Sequence, residues 1–492
     1  MNTFKEYEFW FVVGSQFLYG PETLEQVALH AQTMTGGLNK RRLLPTNVIY
    51  KSTVKTADEI AQVIKDANAS DRCAGLIVWM HTFSPSKMWI NGLALLQKPY
   101  LHLHTQFNRM IPNEEIDMDF MNLNQSAHGD REHGFIAARM HQKRKIVVGY
   151  WEDDDVQRSI ASWMRSAVGA AESRNLKLVR FGDNMREVAV TEGDKVEAQI
   201  KLGWQVNTFP VSELVEKIDS ISSEAVDKRL EEFKKLYTLN TADKKSVRYQ
   251  VQVELALRAF LEEKGAKAFS NTFEDLSGMK QLPGLATQHL MGTGYGYGGE
   301  GDWKVSAMTR IVKAMSEGLE GGTSFMEDYT YHLEEGNELV LGAHMLEVCP
   351  SLASGKAKIE VHPLGIGGKE HPARLVFEGA SGPAILISLI DLGTRFRLIV
   401  HDIEVVKPIM PMPNLPVARI MWKPMPDLKT GAHAWILAGG SHHSVLSTAA
   451  TAEMIEDWAE IMGIEFVHIT KDTELERLKT RLFLSDLVWR LQ

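Results

Sequence analysis

Four segments in the second half of the chain bring carboxylates and imidazoles into surroundings that offer few other polar groups. The first is a glycine-rich run, Gly292-Thr293-Gly294-Tyr295-Gly296-Tyr297-Gly298-Gly299, which leads into Glu300-Gly301-Asp302-Trp303-Lys304. Val305, Met308, Ile311, Val312 and Met315 then recur at helical spacing, so Asp302 is placed to cap a helix, a role that the pattern favours over direct ligation. Glu300 stands just outside that helix, where a carboxylate is either a solvated charge or a ligand. The second segment is Phe325-Met326-Glu327-Asp328-Tyr329. An ionised acid among aromatic and apolar neighbours has to be paired, metal-bound or shifted in pKa, unless the segment is an alternating strand whose acids face water. In the third, Gly342 to Pro350, His344 and Glu347 are polar islands in a strand-like run, a pattern usually explained by a satisfied core histidine. The fourth is Gly439-Gly440-Ser441-His442-His443-Ser444, between an apolar run at 435–438 read as a strand and a stretch of small residues. The spacing between these segments is no short-range metal motif. Two carboxylates and two imidazoles on loops and strand ends are nonetheless a workable set for a divalent ion, and mixed oxygen and nitrogen ligands favour Mn²⁺, Co²⁺ or a related first-row ion over Ca²⁺ or a thiolate-seeking metal.

Other chemistries find less support. Gly294, Gly296 and Gly299 formally spell GxGxxG, but a helix-like segment at 285–291 precedes them where a dinucleotide fold needs a strand. Neither a P-loop nor a GxSxG nucleophile elbow occurs. A net charge of −9 gives no excess of cations for nucleic acid. The two cysteines, Cys73 and Cys349, sit in apolar runs and read as reduced core residues suited to a reducing compartment. No apolar stretch approaches the roughly 18 residues that span a bilayer, and the first residues lack the apolar core of a signal peptide. A cytoplasmic protein with no membrane partner is the expectation.

The elements that must position these residues fall into three textures. At 492 residues the chain is too long for one core. Continuous apolar runs such as Phe9 to Val13 and Leu76 to Met80 alternate with helical patterns such as Ala57 to Ala69, which indicates a parallel sheet covered on both faces. A second unit of the same kind opens near Leu176, with further strands at Trp204 to Phe209 and Ala268 to Ser270; Thr238 to Lys245 reads as a surface connection between long helices. After Gly322, β-type runs (339–348, 359–361, 384–389, 396–400, 417–422) follow one another, closed by a helix near Ala452 to Met462. The expected fold is α/β: two Rossmann-like parallel domains, 1–172 and 173–322, followed by a mainly antiparallel, barrel-like domain, 323–492.

Several long stretches are specific. They include Trp10-Phe11-Val12-Val13-Gly14-Ser15-Gln16, Trp79-Met80-His81-Thr82-Phe83-Ser84-Pro85, Met118 to Gln125, Arg180-Phe181-Gly182-Asp183-Asn184-Met185-Arg186, Gly299 to Lys304 and Phe325 to His332. On these stretches the chain resembles the L-arabinose isomerases along almost its whole length. The resemblance implies a hexameric aldose–ketose isomerase that converts L-arabinose to L-ribulose, with D-galactose to D-tagatose as a slower reaction, and that uses Mn²⁺, with Co²⁺ as a possible substitute. It further implies Glu300, Glu327, His344 and His443 as metal ligands; as the acids of the matched pocket segments, Glu300 and Glu327 are then the groups expected to move protons. Gln16, Leu18, Met185, Phe273, Ile366 and His442 would line the sugar pocket, and His128 would reach the site of a neighbouring subunit. One departure is Phe17, where some relatives carry His, which bears on sugar preference and pH response rather than on the metal. Two other classes compete: a nicotinamide-dependent oxidoreductase, on the formal GxGxxG, and a non-catalytic sugar-binding protein built from two α/β lobes.

Overall fold

The structure, a computed structural model, describes residues 3–490. It divides into two compact units, one ending at residue 171 and one beginning at residue 172.

In the first unit the strands β1 (Glu8–Gly14), β2 (Val48–Val54), β3 (Cys73–Met80), β4 (Tyr100–His104) and β5 (Lys145–Val148) form one sheet in the order β2-β1-β3-β4-β5, every pair parallel. All eight residues of β3 are buried, as a central strand covered on both faces requires. The helix Ala57–Ala69 crosses from β2 to β3. Thr56 caps it by accepting from the Glu59 N–H, and Ile60, Ile64 and Ala67 face the sheet against Leu76 and Val78. Strand order reverses between β1 and β3, and the carboxyl ends on either side of such a reversal frame the usual binding crevice of open α/β sheets. There the Ser15 and Thr82 hydroxyls lie 2.7 Å apart and the Gln16 amide donates to the Phe83 carbonyl.

The second unit opens with β6 (Lys177–Phe181), β7 (Gln205–Phe209), β8 (Thr238–Leu239), β9 (Ala268–Asn271) and β10 (Gly296–Gly298). Four of them form a second parallel sheet in the order β10-β9-β6-β7. The expected surface connection at 238–245 is instead β8 followed by the start of the helix Lys244–Lys264. Thr238 and Leu239 are taken up by backbone pairing with a later strand, which local composition does not announce.

The remainder is β11 (Thr323–His332), β12 (Leu339–Ala343), β13 (Lys358–Val361), β14 (Ala373–Val376), β15 (Gly382–Asp391), β16 (Phe396–Val406), β17 (Arg419–Pro424), β18 (His443–Ser447) and β19 (Glu465–Ile469). Six of these close a barrel, β15-β18-β11-β12-β17-β16, with β16 returning to β15 and every pair antiparallel. The long β16 shares its other edge between β17 and the parallel β19. Met326, Val340, Leu386, Ile399, Trp422 and Leu446 fill the interior. A third, small sheet, β14-β13-β8, completes the unit.

The fold class is therefore the expected one, two parallel α/β sheets of Rossmann-like winding and an antiparallel barrel. Two local readings are corrected. Residues 435–438 are the end of the helix Leu428–Ala438, on which Leu428, Gly431, Ala434, Trp435 and Ala438 are buried at helical spacing and Gly439 terminates the helix in the left-handed region. The run read as a strand through Val348 stops at Ala343, so His344 and Glu347 lie in the bend beyond it. Cys73 and Cys349 are both buried and free, and no described helix is long and apolar enough to cross a membrane.

Candidate metal centre

The glycine-rich run folds as β10 rather than as a phosphate loop, since Gly296 and Gly298 lie inside the strand. The chain then turns sharply: Glu300 has φ +59° and Gly301 φ +79°. A Cβ on Gly301 would lie 2.6 Å from Asn184 Cα, so the backbone approach there needs glycine. The turn is pinned by its neighbours along the sheet edge. The Glu300 carbonyl accepts from the Met185 N–H at 2.9 Å, and the Gly301 N–H donates to the Asn271 carbonyl at 2.9 Å. Met185 follows β6, Phe273 follows β9 and Glu300 follows β10, which sets all three at the carboxyl ends of adjacent strands.

The barrel supplies the rest. Glu327 on β11 stands directly across from His443 on β18 and from Ala343 on β12, and His344 is the next residue along. Strand alternation puts Phe325 on the same face as Glu327. Its ring lies between the two imidazoles, 5.0 Å from His344 and 5.1 Å from His443. Phe273 stacks on His344 at 5.8 Å.

These groups converge. His443 Nε2 is 3.6 Å and His442 Nε2 3.8 Å from Glu300 Oε2, and His344 Nε2 is 3.8 Å from Glu327 Oε2. One ligand atom each from Glu300, His344 and His443 lies within 4.8 Å of the others, and the same holds for Glu327, His442 and His443. First-row ions bind nitrogen and oxygen at about 2.0–2.2 Å, which puts two ligand atoms on one ion about 3–4 Å apart. Among the described residues His443 Nε2 is buried with no hydrogen-bond partner, while its Nδ1 is held 3.1 Å from the buried Asp302. His344 Nδ1 likewise sits 2.5 Å from the buried Glu347. Imidazoles with one nitrogen on a carboxylate and the other aimed at a cluster of acids are the arrangement of metal-ligating histidines. The residues present thus fit a divalent ion.

Electrostatics agree with that reading. The His442 imidazole, with His443 and His344 beyond it, holds the Glu300 carboxyl below the ordinary range against the opposing effect of burial. Burial alone would lower His344, but Glu347, Glu327 and Glu300 outweigh it and raise the imidazole. Burial, followed by the charge of Glu327, pushes Asp328 up to about 7. A divalent cation would relieve this crowding of acids.

Asp302 caps the helix Trp303–Met315 as expected, Oδ1 accepting from the Lys304 and Val305 N–H groups, but its other oxygen serves His443. That second bond, the partnership of Glu347 with His344 and the placement of Phe325 were missed from sequence. Only the closeness of Glu347 to His344 in the chain hinted at any of them. Of the expected sugar-contacting residues, Met185, Phe273 and His442 stand beside the carboxylates and imidazoles. Ile366 lies half-exposed on the loop between β13 and β14, which is tied to residues 276–280 by the Lys369 ammonium on the Leu276 carbonyl and the Glu370 N–H on the Lys280 carbonyl. Gln16, Leu18 and His128 belong to the other unit. Gln16 is bonded at the strand-order reversal, Leu18 is 82% exposed, and the His128 ring lies 4.6 Å from Phe83.

Three family models match consecutive parts of the chain: the L-arabinose isomerase N-terminal domain over residues 3–175, the central domain over 177–318 and the C-terminal domain over 322–465. The chain is 58% identical to the L-arabinose isomerase of Geobacillus stearothermophilus, with 100% of both chains covered. It is 56% identical to that of Thermotoga petrophila, over 100% of this chain and 99% of the relative. With its full length so matched, the chain belongs to the L-arabinose isomerase family of aldose–ketose isomerases.

Proposed function

We propose that this protein interconverts L-arabinose and L-ribulose by proton transfer through an enediol, and D-galactose and D-tagatose more slowly. We further propose that it works in the cytoplasm as a homohexamer of three-domain subunits. The observation that carries the reading is the full-length match to enzymes named for the arabinose reaction. The convergence of Glu300, Glu327, His344 and His443 supports the mechanism.

Isomerisation removes the proton on C2, returns one to C1, and moves a hydroxyl proton between O2 and O1. Mn²⁺, with Co²⁺ as a substitute, would supply fixed positive charge that stabilises the negative charge developing during the transfer. His344 and His443 would hold the ion through Nε2, and Glu300 and Glu327 would share in holding it. One of these carboxylates takes the carbon-bound proton and delivers it to the neighbouring carbon; the other serves the hydroxyl proton. Positioned acid–base groups of this kind contribute about 10²–10⁴ in rate. Phe325 and Phe273 wall the imidazoles with apolar surface and keep bulk water from the acids. Met185, Phe273, Ile366, His442, Gln16 and Leu18 carry the sugar contacts, and His128 serves a neighbouring subunit.

The test is ketose formation from L-arabinose by chelator-treated protein, with and without added Mn²⁺. Ribulose that appears only with metal supports the reading; no ribulose under either condition overturns it. For the mechanism, Glu300→Gln and Glu327→Gln are each expected to lose about 10²–10⁴ in turnover with metal bound. Near-normal turnover in both would sink the acid–base assignment. Turnover in deuterated water should place solvent deuterium on the product carbon, which a hydride shift would not do.

A further inference from the structure

A histidine that ligates through Nε2 must carry its proton on Nδ1, and the group bonded to Nδ1 decides whether it does. An ionised carboxylate only accepts, so it selects the Nδ1–H form. Two buried carboxylates do this here, Asp302 for His443 at 3.1 Å and Glu347 for His344 at 2.5 Å. All four residues are buried, so water does not compete.

The two carboxylates are committed differently. Asp302 divides its oxygens: Oδ1 accepts from the Lys304 N–H at 3.0 Å and the Val305 N–H at 3.2 Å, opening the helix, while Oδ2 accepts from His443. Glu347 gathers its donors on one oxygen, Oε2 accepting from both His344 Nδ1 and the Leu346 N–H at 3.0 Å. Among the described residues its Oε1 has only the Tyr297 hydroxyl, 3.5 Å away; that hydroxyl lies nearer Asn271 Oδ1, at 3.2 Å, so it can donate there and accept from position 347.

We propose that Asp302 is a positioning residue that fixes the tautomer of His443, so that one carboxylate both starts the helix Trp303–Met315 and exposes the nitrogen that faces the ion. The inference rests on the metal-centre reading given above. It follows that replacing carboxylate by amide has different consequences at the two positions. In Asp302→Asn the amide oxygen is claimed by the two cap N–H groups, so the amide NH₂ faces His443 Nδ1. Two donors cannot face each other; the imidazole moves its proton to Nε2 and the lone pair aimed at the ion is lost. In Glu347→Gln the amide oxygen takes the place of Oε2 and still accepts both donors, and the NH₂ finds the Tyr297 oxygen. His344 keeps its tautomer.

The experiment uses full-length wild type, D302N and E347Q. Ring-nitrogen NMR of ¹⁵N-histidine-labelled, metal-free protein, recorded at alkaline pH where the imidazoles are neutral, reads the tautomers, the two resonances being assigned with His443→Gln and His344→Gln. Titration calorimetry with Mn²⁺ reads the affinity. The expected result is that D302N folds but melts below wild type, because Asn is also a good cap yet no longer pairs with the buried Lys304 ammonium 3.7 Å from Oδ1, shows His443 protonated on Nε2, and binds Mn²⁺ on the order of 100-fold more weakly. E347Q should keep His344 protonated on Nδ1 and bind within about tenfold of wild type. His443 still protonated on Nδ1 in D302N, or equal losses of Mn²⁺ affinity in the two variants, would overturn the inference, the second by showing that only charge matters. Should D302N not fold, Asp302→Ser keeps a cap oxygen, offers no acceptor where Oδ2 stood, and is judged by the same tautomer. Wild type that fails to bind Mn²⁺ would count against the metal centre, while the metal-free spectra still decide the role of Asp302.

Discussion

Asp130 shows how much one buried carboxylate can organise. It accepts from the Met80 N–H at 3.2 Å, His102 Nε2 at 2.8 Å and His104 Nδ1 at 2.7 Å, at the carboxyl edge of the first sheet. The bond to Asp130 raises His104 above its ordinary value, against partial burial and the nearby Arg131 charge. A folded-state value above the unfolded one means that the stabilisation is complete below about pH 6.5 and is lost as pH rises through the folded value. His104→Gln, which can still bond to Asp130 but carries no charge, should therefore cost about 1–2 kcal/mol more at pH 6 than at pH 9. Urea midpoints of the two proteins at both pH values measure this; an equal gap would show that His104 is neutral in the fold. None of this was legible from spacing, because Asp130 lies 28 and 26 residues from its histidines. Asp302 shows the boundary well: its cap to residues two and three places on was readable, and its bond to His443, 141 residues away, was not. The expected ligand set likewise came from resemblance to a family and not from spacing.

Elements were readable where they carry their own period and start signal. The helix Ala57–Ala69 was expected at the bounds it has, since Thr56 caps it and Ile60, Ile64 and Ala67 mark one face. The apolar run at 435–438 has no period of its own in four residues, and its helical character shows only when Leu428, Gly431 and Ala434 are read with it. The succession of β-type runs after Gly322 announces a barrel-like domain, but its strand order is not legible there, because the pairing of β15 with β16 and of β11 with β18 is settled between whole strands. Within the barrel, Gly342 illustrates what that closure demands. A Cβ there would lie 2.0 Å from the ring of Trp422 and 2.9 Å from Met326 Sδ, and Trp422 is fully buried with nowhere to move. Gly342→Ala should thus destabilise the protein by about 1–3 kcal/mol or more through overpacking. Because Gly342 is two residues from His344, it should weaken Mn²⁺ binding as well. Gly355→Ala, with open space around its Cβ, is the control and should change neither. A Gly342→Ala protein with the melting temperature and Mn²⁺ affinity of wild type would show that β12 can shift away from Trp422 at no cost.

At the scale of the whole molecule, the four proposed ligands come from two layers of the unit that begins at residue 172. Glu300 follows a strand of the parallel sheet, whereas Glu327 and His443 belong to neighbouring barrel strands and His344 directly follows a third. An ion held by all four ties the sheet edge to the barrel in the native state, and unfolded chain offers no such assembled site. By mass action, ion at about 100 times its dissociation constant adds about 2.7 kcal/mol. At about 2–4 °C per kcal/mol for a large domain, that is a rise in melting temperature of about 5–10 °C. The location of the effect separates a cross-link from general ionic stabilisation. Amide exchange should slow in the segments that carry ligands, 296–302, 323–332, 339–344 and 443–447, and change least in β1 to β5, which contribute none of the four. His344→Gln, which removes one barrel ligand and leaves Glu300 in place, should abolish most of the shift while retaining the metal-free melting temperature to within a few degrees. Slowing spread evenly over both units, or a shift that survives in His344→Gln, would mean that Mn²⁺ stabilises the protein from somewhere other than the junction of sheet and barrel.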